Sequence, residues 1–462
     1  MKKRNPKSGF IDNTNLILAT DFYQITMSAA YYQDNLENKR NEKDDIAIFD
    51  LFVRKFPKNR NYLIFAGLEQ VIHYLQSARF SQKTIQFLRN KKIFENVDPS
   101  FFNDYLPNFK FRLEVFAMKE GSFFFPNEPV IKIQGPMIHA QLAETYLLNI
   151  INYQTLIASK ASRIKNIAHD KILLEFGTRR AHSPLAGVYA ARASYIAGFN
   201  GTSNVVSDFE LGINSSGTMA HSFVQRFDNE MESFEKYFNI YGEDSILLID
   251  TYDTEKAARK ITKFKNRIKA VRIDSGNLIE HSKQVRKILD ENGCERVQIV
   301  ASSDLNEYKI KEILDNNAPI DAFGVGTELA TSRDDPTMAG VYKLIEYNGK
   351  PRIKTSEKKL IIPGNKQIYR IYDKKGIFKE DFITLINDTP PPNSEPLLLP
   401  IMENGELIYD LPSLPEIQDF CLNNIRKLPD GYKILEENHI NILRFSKKLT
   451  DLTNLIIKQH TN

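Results

Sequence analysis

Only two cysteines, Cys294 and Cys421, occur among 462 residues. They are too few for a four-cysteine zinc site and argue against a disulfide framework. No run of about 18 apolar residues is present, which argues against a transmembrane helix. Charge of one sign is also missing: 62 Lys and Arg against 58 Asp and Glu leave a net +4. That balance speaks against a nucleic-acid-binding surface but leaves room for a local anion site. The basic opening MKKRNPKSGF has no apolar stretch behind it, so no secretory signal is read there. What remains is ordinary, with 42% hydrophobic and 26% charged residues, the composition of a globular chain. At roughly 100–200 residues per domain, the length predicts two to four units, or one large α/β barrel with additions. The expectation is a cytoplasmic α/β enzyme without nucleic-acid or membrane partners.

Residues 1–138 read as an α+β unit. Thr20 followed by DFYQITMSAAYYQ predicts a capped helix with Asp21 in its first turn. DIAIFDLFVRKF (45–56) reads as a strand covered on both faces, with Asp50 the polar exception. Helices are expected near 63–77 and 81–93, then strands at FRLEVFAMKEG and PVIKIQGP around a Pro/Asn turn at 126–129. The next unit, 139–340, opens on a long helical stretch, HAQLAETYLLNIINYQTLIASKASRIKNIAHDK. Short apolar runs then alternate with helical patterns: ILLEF (172–176), SILLID (245–250), AVRID (270–274), VQIVAS (297–302) and DAFGVG (321–326), with a sixth strand expected at NVVSDF (204–209). Such β-α units imply a parallel sheet with right-handed crossovers, and their number favours a barrel over an open sheet. In the last unit, 341–462, GVYKLIEYNGKPRIKTS predicts a hairpin around Asn348-Gly349, and a polar helix pattern closes the chain.

In a β/α barrel, polar residues just after each strand face the mouth where substrates bind. Here the strand ends carry Glu175, Phe176, Gly177 and Arg179; Asp250 and Asp253; Arg272, Asp274, Ser275 and Gly276; Ser302, Ser303 and Asp304; and Gly324, Gly326 and Thr327. Acids, arginines and glycine turns together suit a polyanionic substrate carrying Mg2+, because glycines let backbone N–H groups approach phosphate. Singly, each has a plainer reading: Asp250 and Asp274 as helix caps, G-x-G as a turn, Arg179 and Arg180 as a solvated pair. Recurrence at nearly every strand end favours a site. ILLIDTYDT superficially matches the phosphate loop of type I phosphoribosyltransferases, but Asp250 and Asp253 are separated and no glycine follows, so that fold is disfavoured. His221, in GTMAHSFVQRF, stands where Gly217 and Thr218 are expected to open a helix. It reads either as a core histidine or as a nucleophile whose phosphorylated form a helix N-terminus would stabilise. His182 reads as a loop residue.

The segments TDFYQITM, EFGTRRA, GFNGTSNV, GTMAHSFV, DTYDT, VRIDSGNL and GVGTELATS, in that order, resemble the signature series of the nicotinate phosphoribosyltransferase family. KTSEKKLIIPGNKQIYR (354–370) resembles the family's post-barrel segment. The resemblance implies a type II fold: an irregular α/β barrel with a smaller α+β domain built from N-terminal and post-barrel segments. It implies a reaction of nicotinate with phosphoribosyl pyrophosphate (PRPP), coupled to ATP through a phosphohistidine at His221, with Mg2+ accompanying the phosphates and no tightly bound protein metal site. Tyr23, reaching from the second subunit of a homodimer, and Phe176 would sandwich the pyridine ring. Arg179, Thr218 and Arg272 match the nicotinate site, and Asp274 matches the acid on the ribose hydroxyls. Ser275, Gly276, Gly324, Gly326 and Thr327 match phosphate contacts, and Asp250 an acid near ribose and Mg2+-pyrophosphate. Ser203 replaces an Asp found in the sister nicotinamide enzyme; an acid there would accept an amide N–H and repel a carboxylate. The alternatives are nicotinamide or quinolinate phosphoribosyltransferase, a barrel lyase, or a catalytically inactive nucleotide-binding relative.

Overall fold

A computed structural model describes residues 10–354, 361–438 and 443–461. Most of MKKRNPKSGF and positions 355–360 within KTSEKKLIIPGNKQIYR lie outside the described residues. The larger half is built on six parallel strands: β1 (Ile172–Glu175), β2 (Gly201–Thr202), β3 (Ile246–Leu248), β4 (Ala270–Ile273), β5 (Gln298–Ala301) and β6 (Ala322–Val325). Their order is β2-β1-β6-β5-β4-β3. The first long strand thus lies beside the last, Val325 opposite Glu175, as a barrel requires and an open sheet of this length does not. Among the described residues β2 and β3 do not pair, so the barrel is open between them. The connection from 203 to 245 links these two strands, and within it Ser215 forms an isolated bridge to Thr202.

The strands are largely buried, which explains why they are mostly apolar, with Glu175, Arg272 and Gln298 the polar exceptions. The sixth strand is not NVVSDF. Asn204 accepts the Ser207 N–H at 2.9 Å and caps a helix, Val205–Leu211, which leaves Val205 and Val206 exposed. A local capping bond overrides the strand preference of two valines, and the strand falls on Gly201–Thr202 instead.

The smaller domain is an antiparallel sheet of seven strands in the order Lys350–Pro351, Gly340–Tyr347, Ile46–Val53, Pro129–Pro136, Glu114–Ala117, Leu399–Glu403 and Glu406–Leu407. It draws on both ends of the chain. The turn Asn348-Gly349 has positive φ at both positions (47° and 69°), which the short hairpin needs. Two expected helix starts shift. The helix predicted from 63 runs Leu68–Ser77, because Leu63–Ile64 pairs with Phe123–Phe124. The first helix, Phe22–Glu37, has Asp21 rather than Thr20 as its N-terminal flanking residue, and the Asp21 carboxylate accepts the Thr145 hydroxyl at 2.9 Å.

One helix, Glu144–Ala168, joins the two cores. Leu147, Ile150, Ile151 and Leu156 pack into the smaller domain, whereas Ile157, Ala158, Ala161 and Ile164 pack into the barrel. A second tie is ionic. Buried Arg192, on helix Pro184–Ile196, donates to both oxygens of Glu120 at 2.8 and 2.7 Å and to Glu69 at 2.8 Å. Glu120 also accepts the N–H groups of Gly67 and Leu68, the start of helix Leu68–Ser77. Burial opposes the charge of Glu120, but Arg192 and these N–H groups outweigh it and hold the carboxyl below its ordinary range.

Glu175, at the end of β1, is fully buried and accepts the Thr202 hydroxyl of β2 at 2.7 Å and the Gly177 N–H. Burial exceeds these bonds and raises its pKa to about 7.

Two predictions follow from these buried charges. Arg192→Met leaves Glu120 buried without its cation and is expected to destabilise the protein by about 3–5 kcal/mol, read as a fall in the thermal unfolding midpoint. For Glu175, a folded-state value above the unfolded one means that its proton stabilises the fold in full below the ordinary Glu pKa of about 4.5, and that this contribution is lost as pH rises through about 7. The loss is about 3 kcal/mol at most. Urea midpoints of wild type measured at about pH 5 and about pH 8 are expected to differ more than those of Glu175→Gln, which carries no titrating proton.

Candidate active site

A cavity of about 440 Å³ opens at the C-terminal ends of the parallel strands. Its wall takes Phe176, Arg179 and Arg180 from beyond β1, Ser203 from beyond β2, and Ser216 to His221 from the long β2–β3 connection. Arg272 and Asp274 come from β4 and its end, Ser302, Ser303 and Asp304 from beyond β5, and Gly324, Gly326 and Thr327 from β6 and its end. Residues far apart in the sequence meet here because the barrel brings its strand ends to one rim.

Asp250 does not line the cavity but lies behind its wall, its side chain 2% exposed. One oxygen, Oδ1, stands 3.2 Å from His221 Nε2. The other, Oδ2, accepts the Asp274 N–H at 3.0 Å and the Ser275 hydroxyl at 2.5 Å. Asp250 is therefore no helix cap; that part falls to Asp253, which accepts the Lys256 N–H at the start of helix Thr254–Ile261. Nor does Asp274 cap the next helix, Leu278–Glu291, whose first N–H groups are taken by Asn277. A carboxylate oxygen only accepts, so Nε2 is the donor in this contact and Nδ1 is the ring nitrogen that Asp250 does not engage. His221 begins a five-residue helix, His221–Gln225, flanked by Ala220. Gly217 and Thr218 thus precede that helix instead of opening it.

Arg272 is anchored by three neighbours: Ser302 Oγ accepts from Nε at 2.8 Å, Thr218 Oγ1 from one terminal nitrogen at 3.0 Å, and Asp274 Oδ1 from the other at 2.7 Å. Its guanidinium sits 5.8 Å from the centre of the Phe176 ring. Arg179 and Arg180 belong to a 3₁₀ turn, Thr178–Arg180, without an acidic partner among the described residues, and both line the cavity. Arg180 is thus exposed, as a solvated residue would be, yet belongs to the site wall.

The glycines divide by role. At Gly324, a Cβ would lie 2.3 Å from the Phe176 ring, so this residue is the seat of an aromatic side chain. At Gly326, the Phe176 carbonyl would lie 3.2 Å away. Gly276 has φ of +76° and packs against the His281 imidazole, outside the cavity with Ser275. Tyr23 does not line the cavity either: it is half exposed on helix Phe22–Glu37 and donates to Glu144 at 3.2 Å. His182 is exposed beside Ser183, which caps helix Pro184–Ile196. Ser302, Ser303 and Asp304 were visible in the sequence only as polar strand ends. Among the described residues no group of three or more His, Cys, Asp or Glu is arranged to hold a metal ion, and no helix is long and apolar enough to cross a membrane.

Three family models match the chain in succession: the nicotinate phosphoribosyltransferase N-terminal domain over residues 18–152, the nicotinate phosphoribosyltransferase family over 172–375, and the C-terminal domain of the same enzymes over 390–453. A nicotinate phosphoribosyltransferase of Mycobacterium tuberculosis is 39% identical over 427 residues, covering 91% of this chain and 89% of its own. That of Bacillus subtilis is 39% identical over 463 residues, covering 92% and 91%. In three dimensions, human nicotinic acid phosphoribosyltransferase superposes with a TM-score of 0.84 at 26% identity, over 95% of this chain and 99% of the human one. A nicotinate-nucleotide pyrophosphorylase from Pyrococcus furiosus gives 0.74 at 27% identity, over 92% and 99%. Matched in sequence over most of its length, the chain belongs to the nicotinate phosphoribosyltransferase family.

Proposed function

We propose that this enzyme joins nicotinate to PRPP, giving nicotinate mononucleotide and pyrophosphate, and couples the reaction to ATP hydrolysis through a phosphohistidine at His221. The observation that carries the coupling is the Asp250 carboxylate, which holds the His221 imidazole with one oxygen and the Asp274–Ser275 turn with the other. A change at the imidazole is thereby felt at the turn that would receive PRPP. Transfer of the γ-phosphoryl group of ATP to Nδ1 releases ADP, and later hydrolysis returns the histidine and frees phosphate.

In this reading the pyridine ring lies against Phe176, and the carboxylate is received by Arg179, Arg272 and Thr218 through charge-assisted bonds. The neutral Ser203 leaves that carboxylate unopposed. Asp274 accepts the ribose hydroxyls, and the backbone of Gly326 and Thr327, beside Gly324, receives the 5-phosphate, while Ser275, outside the cavity, keeps its hydroxyl on Asp250. The bond from the anomeric carbon to pyrophosphate breaks as the bond to the pyridine nitrogen forms, and positive charge gathers on the ribose. Asp274 and Asp250 oppose that charge, so the protein contributes chiefly positioning and electrostatics. Both Asp250 oxygens are already engaged by protein donors, which suits Mg2+ arriving with the phosphates rather than residing in the protein. When bound, Mg2+ neutralises the leaving pyrophosphate.

The reading includes a homodimer in the cytoplasm, with Tyr23 of each subunit presented to the cavity of the other. Two features support the dimer: Tyr23 is half exposed away from its own cavity, and helix Val205–Leu211, next to Ser203, leaves Val205, Val206 and Phe209 exposed at 73%, 54% and 85%. Such a contiguous apolar face calls for a cover.

The test is mononucleotide formation by purified protein with PRPP, Mg2+ and either nicotinate or nicotinamide, with and without ATP. Nicotinate mononucleotide formed faster with ATP is expected; product from nicotinamide alone, or none from either, overturns the reading. His221→Ala is expected to keep basal turnover at high PRPP but lose ATP stimulation entirely, and equal stimulation of the variant sinks the phosphohistidine. Ser203→Asp is expected to raise the KM for nicotinate by about tenfold or more while improving use of nicotinamide, measured as the ratio of kcat/KM values.

A further inference from the structure

The Ser302 hydroxyl stands between the two side chains that the proposed reaction needs most. It accepts the Arg272 Nε–H at 2.8 Å and donates to Asp274 Oδ1. A hydroxyl has one proton to give, and here it is given to the carboxylate while a lone pair holds the guanidinium. Arg272 also donates to the same Asp274 oxygen at 2.7 Å, so the three side chains form a closed ring of hydrogen bonds. Asp274 Oδ2 receives no hydrogen bond among the described residues, which leaves that oxygen to the cavity.

Ser302 is itself firmly placed. It is 4% exposed, and its N–H donates to the Ile273 carbonyl at 3.0 Å, on the strand that carries Arg272 and leads to Asp274. The next two residues, Ser303 and Asp304, have φ of 105° and 41°, so the chain leaves the strand direction immediately after Ser302. The hydroxyl is therefore a fixed point, and Arg272 and Asp274 are oriented against it.

We propose that Ser302 is a positioning residue that couples the subsite for the pyridine carboxylate, through Arg272, to the subsite for the ribose hydroxyls, through Asp274. The inference rests on the proposed assignment of those two residues. A carboxylate bound at Arg272 draws the guanidinium and, through the serine, holds the Asp274 carboxylate in one orientation; a ribose at Asp274 does the reverse. Binding free energies couple reciprocally, so each substrate is expected to tighten the other by one and the same factor. Without the hydroxyl, the direct Arg272–Asp274 bond survives, but Nε–H loses its partner and the carboxylate is free to turn.

The test is a matrix of initial rates over nicotinate and PRPP concentrations, which gives that factor and separates KM from kcat. Wild type is expected to show a factor of about 5 or more. Ser302→Ala is expected to bring it close to one, with KM rising for both substrates more than kcat falls. Ser302→Thr, which keeps the hydroxyl, is expected to restore it and so separates the lost hydroxyl from a disturbed fold. An Ala variant with the wild-type factor, or a Thr variant no better than Ala, overturns the coupling role while leaving the reaction itself established. Absence of nicotinate mononucleotide from wild type overturns the underlying reading and this inference with it.

Discussion

A carboxylate shut away from water has to be met by donors, and the arrangement of the cavity follows from how Asp250 meets that requirement. Its partners come from distant stretches of chain: the imidazole of His221 from the β2–β3 connection, and the Asp274 N–H and Ser275 hydroxyl from the end of β4. Removing any one leaves buried charge less well compensated, so these segments are held together by the cost of separating them. The residue that organises the cavity is thus not on its surface. Other segments reach it through hydrogen bonds, and what it supplies is geometry.

The barrel's opening and this carboxylate belong together. Among the described residues β1 pairs with β6 while β2 and β3 stay apart, and the connection between those two, from 203 to 245, brings Ser216 to His221 to the cavity wall. A closed wall would keep that connection on the outside with the other crossovers. Close packing then finishes the site. Phe176 reaches its place only because position 324 has no side chain, so a glycine in a turn that reads as a phosphate cradle is needed first by an aromatic neighbour.

Much of this was legible in the chain. Five of the six parallel strands coincide with mostly apolar runs, because strands covered on both faces show no polar alternation. The sixth was misplaced: two residues, Gly201–Thr202, are too short to carry a pattern, while Val205 and Val206 imitate a strand that Asn204 turns into a helix. Strand-end residues reached the cavity almost as expected, since the barrel fixes where strand ends go. Asp250 and Ser302 show what spacing cannot convey. Both look like polar residues at strand ends, and only the bonds they make across the barrel distinguish them from caps and turns. Tyr23 marks the other boundary: it was matched by resemblance to a ring site, and within the chain it lies away from the cavity, bonded to Glu144.

The helix Glu144–Ala168 has one half in each core, and this makes its phase a shared property of both domains. Successive residues turn by about 100° around a helix axis and advance by about 1.5 Å. Leu156 serves the smaller domain and Ile157 the barrel, so the handover occurs between neighbours, with no hinge residue to absorb a change. One residue more or fewer at that point would present the wrong face to a whole core, however polar or apolar the newcomer. The length of this segment is consequently constrained more tightly than its composition. Relative rotation of the two domains about the helix axis is coupled to the winding of a single rod, which gives the cavity a rigid frame on its smaller-domain side.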